Sequence, residues 1–184
     1  RREGAGARPL MPSPIGHAIG AVAAALPAAG RESPVRWRAM VWLAAFGMAP
    51  DLDLLFGRHS METHSVGAAV IAAALAAWCR LPVAATRARV FVATLLAWLS
   101  HPLFDALGTD TSEPIGVMLL WPFSSEHVAF VPVFDAVSRR YWLPGFVERT
   151  MLAIARELVI LAPLLLASWW WTGRRGSALR RGQS

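Results

Sequence analysis

The sequence has no lysine, and only 16% of its 184 residues are charged. All 18 basic residues are arginines, which stand in short clusters apart from the 12 acidic residues, and the net charge is +6. Nucleic-acid binding requires a continuous basic face with interleaved polar contacts. No segment of this sequence has that pattern, so we expect no nucleic-acid partner.

The sequence also lacks the cysteines needed for a disulfide and the motifs of serine nucleophiles. The single cysteine, Cys79, excludes an internal disulfide and lies in an apolar segment, where packing is the expected role of a free cysteine. Neither a G-x-S-x-G nucleophile elbow nor a glycine-rich phosphate loop occurs. The sequence therefore does not favour a nucleophilic serine enzyme.

Apolar residues are abundant: they make up 55% of the chain, and the mean hydropathy is +0.44. This composition predicts one membrane-embedded unit. A helix needs about 20 residues to cross the hydrocarbon core of a membrane. Of the five apolar segments, the last two are long enough to span it, and the first three are either short spans or helices buried within the bundle. The segments are 15–29, 35–49, 66–81, 88–107 and 150–171. The predicted fold is an all-α polytopic bundle.

The chain divides into three parts. Residues 1–10 are predicted to be unstructured or an upstream extension, since Met11 would make a natural chain start. Residues 11–173 form the predicted membrane-embedded domain, and 174–184 a basic cytoplasmic tail. We expect no cleaved signal peptide, because no small-residue cleavage site follows a suitable core before His17.

Arginine placement predicts the orientation, because cytoplasmic loops carry the excess of positive charge. Alternating spans place three clusters on one side, the cytoplasm, and most histidines and aspartates on the other, the periplasm. Arg139, Arg140 and Arg149, between the fourth and fifth segments, run against this pattern. The clusters comprise Arg31, Arg36, Arg38, Arg80, Arg87, Arg89, Arg174, Arg175, Arg180 and Arg181.

Helix boundaries are marked by a few residues. Pro14 is suited to the first turn of the first helix, and Thr63 is a plausible N-cap of the third. Gly108 follows the fourth helix as a C-terminal stop. The connection from Gly108 to Arg149 is long for a structureless loop, and we expect it to lie in the membrane interface or to cover the site.

His101 and Asp105 are the strongest candidates for chemistry. Their i, i+4 spacing puts both on one helical face, where they can meet one cation. The alternative is a mutually satisfied pair at a helix end. Polar groups of this kind are costly within a membrane and usually functional, so we favour metal ligation.

A second set of candidates follows the second apolar segment. Asp51 and Asp53 flank Leu52, and His59 and His64 come shortly after. The two aspartates alone could be solvated at a helix end, but with the histidines they form a carboxylate and imidazole donor set, which is usual for zinc and other divalent ions. His59 lies in a flexible stretch and has no clear assignment from its position.

Three further polar residues remain open. His17 begins the first apolar segment and is either structural or a ligand. His127 follows Glu126 in the long connection, where surface solvation is the simpler interpretation. Glu157 lies within the last span, and its sequence position does not decide whether it faces the site.

The motifs resemble those of a bacterial inner-membrane family of predicted metal-dependent hydrolases, the YdjM-like proteins under LexA control in some bacteria. The resemblance extends from residue 11 to about 135, in the order in which the motifs occur. They are MPSPI with His17 and Gly20, PDLDLL at 50–55, Thr63-His64-Ser65, Ser100-His101 through Asp105, and WPFS at 121–124. A more distant similarity is to zinc-dependent phospholipase C enzymes, which implies phosphoester hydrolysis at a metal cluster.

Together, the residues and the resemblance predict a membrane-bound metal-dependent hydrolase of phosphoester or ester bonds in a lipid or lipid-linked substrate. The expected cofactor is a divalent ion, zinc first, with manganese or magnesium as alternatives. The predicted ligands are His17, Asp51, Asp53, His59, His64, His101 and Asp105, and Asp51 and Asp53 are also the candidates for catalysis. The alternative is a non-enzymatic metal-binding membrane protein with a structural or transport role.

Overall fold

The computed structural model describes residues 12–30, 36–57, 60–110, 114–135, 142 and 144–181, with side chains up to Arg174. Residues 1–10 and His59 lie outside this set. The five α-helices are α1 (Pro14–Ala29), α2 (Arg36–Met48), α3 (Val66–Trp78), α4 (Arg87–Ala106) and α5 (Phe146–Arg181). Two 3-10 helices, Ala49–Phe56 and Glu62–His64, lie between α2 and α3. The part of the chain described contains no β-strand, so the all-α prediction is confirmed.

Local sequence explains where the helices begin. Pro14 occupies the first turn of α1, and the side chain of Ser13 caps that helix by accepting a hydrogen bond from the Gly16 amide. The prediction that Thr63 caps α3 is wrong. Ser65 is the cap, and its hydroxyl accepts from the Ala68 amide. A serine hydroxyl satisfies an unpaired N–H group of the first turn as well as threonine does, and here Thr63 is used elsewhere.

Helices α1 and α4 form the centre of the bundle. Helix α1 packs against α2, α4 and α5, while α3 packs mainly against α4. Small side chains such as Ala21, Ala25, Ala93 and Ala97 are fully buried between them. Small residues allow helix backbones to approach closely, which is how helices associate in membranes.

The outward faces of the helices are apolar. Large exposed side chains include Trp37 and Val41 on α2, Ile71 on α3 and Val159 on α5. Extensive exposed apolar surface is atypical of a soluble monomer and is a feature of surfaces that meet a membrane or a partner. Buried histidines and aspartates inside an apolar exterior are the reverse of the soluble pattern.

Two helical segments of the described chain are long and apolar enough to cross a bilayer, Arg36–Phe56 and Phe146–Arg174. Two shorter apolar helices are α1 and α3. The second apolar segment, which was expected to be short for a membrane span, reaches 21 residues because the 3-10 helix extends α2. Helix α4, expected to qualify outright, does not, because polar residues such as Arg89 and His101 lower its hydropathy.

The two ends of the bundle differ in chemistry. At one end, Ser13 at the start of α1 contacts Glu157 of α5. At the other end, the guanidinium of Arg36 lies 3.4 Å from the ring centroid of Trp169 and donates to its carbonyl. Helix α5 therefore runs alongside α1 in the same direction and antiparallel to α2. Arg36 and Arg174 lie at the second end, and the predicted ligands lie near the first. Arg156, next to Glu157 and paired with Asp135, lies toward the first end as well.

The described part of the long connection, 114–135, folds back onto the first end. Its backbone accepts hydrogen bonds from the amides of Val66 and Gly67, and Met118 donates to the carbonyl of Ser60. Phe130 donates to the carbonyl of Ala106, at the end of α4. The connection thus lies against the segments that flank His64 and Asp105. Although it forms no strand, its backbone is held by these contacts.

Candidate metal centre

Four separate segments bring histidines and aspartates together at one end of the bundle. His17 lies in the first turn of α1, and Asp51 in the first 3-10 helix. His64 ends the second 3-10 helix, and His101 and Asp105 lie in the last turns of α4. All three imidazoles are fully buried, and the side chain of Asp51 is the most exposed of the group, at 18%.

The centre of the cluster consists of three side-chain atoms. Nε2 of His64 and Nε2 of His101 are 3.1 Å apart. Oδ2 of Asp105 is 3.3 Å from the first nitrogen and 3.1 Å from the second. A fourth atom, Oδ1 of Asp51, lies 3.8 Å and 3.6 Å from the same two nitrogens. Four potential donors therefore face one small volume.

These separations fit the coordination sphere of a divalent ion. Ligand atoms bound at about 2.0–2.1 Å to a tetrahedral ion such as Zn²⁺ are about 3.3–3.4 Å apart. The five measured separations lie between 3.1 and 3.8 Å. The two longest separations both involve Asp51, whose side chain is the most exposed of the group and would move slightly toward the two nitrogens to complete the set.

The opposite ring nitrogens of both histidines have partners that fix their tautomers. Nδ1 of His101 donates to the Gly47 carbonyl at 2.6 Å. Nδ1 of His64 lies 3.0 Å from Oγ1 of Thr63 and 3.3 Å from Oδ2 of Asp53, and the threonine hydroxyl itself donates to that carboxylate. Because Nδ1 is the donor in each case, the lone pair of each neutral ring lies on Nε2.

Two lone pairs 3.1 Å apart repel each other unless a cation lies between them. A histidine that binds a metal through one ring nitrogen usually donates a hydrogen bond from the other ring nitrogen to a carbonyl or carboxylate. The tautomers and the separation therefore both fit a cation held by His64 and His101.

His17 lies on the other side of Asp105. Its ring stacks on that of His101, with centroids 3.8 Å apart, and its Nε2 is 3.2 Å from Oδ1 of Asp105. The two oxygens of Asp105 thus face different histidines. Two overlapping groups could each hold an ion: His17, His101 and Asp105, and Asp51, His64 and His101.

Hydrogen bonding within the protein leaves this centre incompletely satisfied. Neither oxygen of Asp105 and neither ring nitrogen of His17 makes a hydrogen bond of good geometry. Buried polar atoms without such bonds are costly, and a coordinated cation removes that cost.

The pKa of His64 also shows that the carboxylates of the cluster favour a positive charge between them. His64 lies in the short 3-10 helix before α3. Burial lowers its pKa, but the nearby carboxylates of Asp105, Asp51 and Asp53, 3.3–3.8 Å from its ring nitrogens, outweigh burial and raise the pKa of His64 well above the ordinary value. In the absence of a metal, a proton on His64 therefore supplies the charge that the surrounding carboxylates require.

The structure brings together His17, His64, His101, Asp51 and Asp105, as expected for ligands of one centre. Asp53 differs from the expectation, because it contacts the outer nitrogen of His64 rather than the central space. His127 belongs to neither group of potential ligands. The sequence carried no signal for the role of the Gly47 carbonyl, since any residue could provide it.

Glu157 also has a definite position. Its buried carboxylate accepts hydrogen bonds from the backbone amide, at 2.6 Å, and the hydroxyl of Ser13. It therefore joins α5 to the start of α1, next to the turn that carries His17. Glu157 is not a member of either group of potential ligands.

These observations define the protein as an all-helical protein with apolar outward faces and a buried histidine and aspartate cluster able to hold a metal ion. The chain belongs to the YdjM inner membrane protein family, whose model matches residues 11–177. The resemblance seen in the sequence motifs is thereby confirmed, and the similarity to phospholipase C stays a prediction. No curated protein and no solved structure is significantly similar to the chain.

Proposed function

We propose that this protein is a membrane-bound metal-dependent hydrolase that cleaves phosphoester or ester bonds in a lipid or lipid-linked substrate. The observation that carries the proposal is the convergence of the facing Nε2 atoms of His64 and His101 on the carboxylate of Asp105, 3.1–3.3 Å away. A purely structural bundle gains nothing from burying so many polar groups at one point.

The position of each residue in the cluster suggests its role in hydrolysis. His64, His101 and Asp105 hold the ion, which when bound would lower the pKa of a water molecule and polarise the scissile ester. Asp51, the most exposed carboxylate of the cluster, completes the donor set or accepts the proton of the attacking water. Asp53 orients His64. Zinc fits this nitrogen and oxygen donor set, and manganese or magnesium are the alternatives.

We further propose that the protein spans the inner membrane several times, with the metal centre facing the periplasm. The support is the separation of the two ends: Arg36 and Arg174 lie beside Trp169 and Trp170 at the end remote from the cluster. Arginines next to interfacial tryptophans are typical of the cytoplasmic membrane face.

The competing function is a non-enzymatic metal protein, either structural or a transporter. A transporter would need polar groups through the depth of the membrane. In the described chain, the core between the cluster and the arginine end consists mainly of alanine, valine and leucine side chains such as Ala25 and Leu26, and the buried hydroxyl of Thr94 is uncharged. The hydrolase is therefore the better supported of the two.

Activity of the purified protein tests the proposal. Hydrolysis of a panel of phosphodiesters and lipid esters is measured after treatment with a chelator and again after zinc or manganese is added. We expect loss of activity on chelation and recovery with metal. His101→Ala and Asp105→Ala should lose both metal and activity, because each removes a direct ligand, and His127→Ala is the matched control that should retain both.

Two results would contradict the proposal. Metal content that is unchanged in folded His101→Ala and Asp105→Ala would show that these residues are not ligands. A metal-loaded protein that hydrolyses nothing in the panel would favour the non-enzymatic alternative.

A further inference from the structure

A long apolar groove runs along the outside of the bundle between α2, α3 and α4. It has a volume of about 560 Å³. Trp42 and Phe46 of α2 form one wall, and Trp98 of α4 another. Ile71 and Leu75 line its length along α3, and both are among the exposed apolar side chains of that helix.

One end of the groove lies beside the segment that supports the metal centre from behind. Its polar lining is concentrated at one end, where Glu62 and Thr63 lie. The hydroxyl of Thr63 contacts both Asp53 and Nδ1 of His64. The wall residue Trp98 donates from its indole N–H to the Thr63 carbonyl at 2.9 Å. The groove and the metal centre therefore share the Thr63 segment as a common boundary.

The dimensions of the groove suit one hydrocarbon chain. The groove follows α3 from Ala68 to Cys79, which at 1.5 Å per residue is about 16 Å. That length matches a long acyl chain in extended form, and the lining beyond Thr63 offers almost no polar partner. Ala72 and Ala76 leave the floor of the groove open, because their side chains are small.

We propose that this groove binds one acyl chain of a lipid substrate, with the polar end of the lipid at the Thr63 boundary and its scissile bond toward the metal centre. This inference rests on the proposed hydrolase function and specifies its substrate as an acyl lipid. The boundary that the groove shares with the metal centre at Thr63 favours a lipid chain over a second copy of the protein as the occupant, because a substrate must lie beside the centre and a second copy need not.

The first experiment is a chain-length series of phosphodiester lipids assayed in mixed micelles. In the wild type, kcat/KM should rise with chain length until the chain reaches Cys79, because each added methylene gains packing contacts with the groove wall. Ala72→Phe places a ring halfway along the groove, so its profile should reach a plateau at a shorter chain. Ala74→Phe, on the exposed side of the same helix, is the matched control and should follow the wild type. Because partition into micelles is common to all three proteins, the difference between profiles reports the groove.

A second measurement does not depend on catalysis. Cys79 is the only cysteine of the chain and lies exposed at the far end of the groove. Long-chain lysophospholipid should slow its alkylation by a maleimide in the wild type and in Ala74→Phe, but short-chain lysophospholipid should not. Ala72→Phe should abolish this protection.

The outcomes separate the two proposals. Protection of Cys79 by long chains without any hydrolysis would support the groove and contradict the hydrolase. Identical chain-length profiles in Ala72→Phe and the wild type, with no protection of Cys79, would overturn the groove assignment. A change of oligomeric state in Ala72→Phe alone would show instead that the groove is an interface between copies of the chain.

Discussion

Asp53 gives the sharpest test of the metal centre, because the structure and the sequence assign it different roles. Its carboxylate is buried beside Nδ1 of His64 at 3.3 Å, and it accepts a hydrogen bond from Thr63 at 2.8 Å. In this position it orients the histidine and increases the basicity of the ring, without coordinating the ion. We therefore expect its substitution to weaken metal binding without removing the binding site.

The magnitude follows from comparable supporting carboxylates, whose loss typically costs 10- to 100-fold in metal affinity, or about 1.4–2.7 kcal/mol. Asp53→Asn keeps an oxygen that can accept from His64 and removes only the charge, so it should fall near the lower limit. Asp53→Ala removes the acceptor and also releases the Thr63 hydroxyl, so it should fall near the upper limit.

The assay is a competition titration of the metal-free protein with zinc against a chromogenic chelator, which yields both affinity and stoichiometry. Asp135→Asn is the matched control, because Asp135 is a half-exposed aspartate that is paired with Arg156 at 2.7 Å and belongs to neither group of potential ligands. Its affinity should equal that of the wild type. Loss of stoichiometry in Asp53→Asn at saturating zinc would show that Asp53 is a direct ligand. Unchanged affinity in Asp53→Ala would show that it does not support His64 at all.

Three further predictions concern orientation, packing and pH. Reporter fusions after Arg87 should indicate the cytoplasm and fusions after Gly108 the periplasm; the opposite pattern would place the metal centre on the cytoplasmic side. Glu157→Gln should lower the apparent Tm, because a disturbed buried hydrogen bond costs about 1–3 kcal/mol of folding free energy, and it should leave the zinc stoichiometry intact. Glu148→Gln, at an exposed position of the same helix, is the control. Loss of bound zinc in Glu157→Gln would place Glu157 among the ligands. The raised pKa of His64 means that its proton stabilises the metal-free fold most fully below the ordinary histidine pKa, and that this contribution is lost as the pH rises through the raised value. Zinc affinity should accordingly increase with pH, and zinc binding should release protons. Calorimetry in buffers of different ionisation enthalpy measures the number of protons released. A pH-independent affinity would contradict the assignment of His64 as a ligand.

The helices were predictable because their signals are local. Apolar runs and the position of Pro14 located α1 to within a residue, and the i, i+4 spacing of His101 and Asp105 predicted a contact that the structure shows at 3.1 Å. Both depend only on residues within a few turns of the same helix. Local sequence predicted the helix boundaries less well. Thr63 and Ser65 are equally good N-cap residues for α3, and only the surrounding contacts distinguish them.

The sequence by itself determined an all-helical apolar chain with histidines and aspartates near the ends of its helices, because helix formation and hydropathy depend on neighbouring residues. Only the tertiary structure decided which of these side chains meet. The packing of α1 and α4 with the two 3-10 helices places His17, His64 and His101 around Asp105 and sets Asp53 behind His64. The packing of α5 against α1 joins Glu157 to a serine 144 residues earlier in the chain. Such convergence depends on the rotation and crossing of packed helices, which the periodicity of a single helix does not encode.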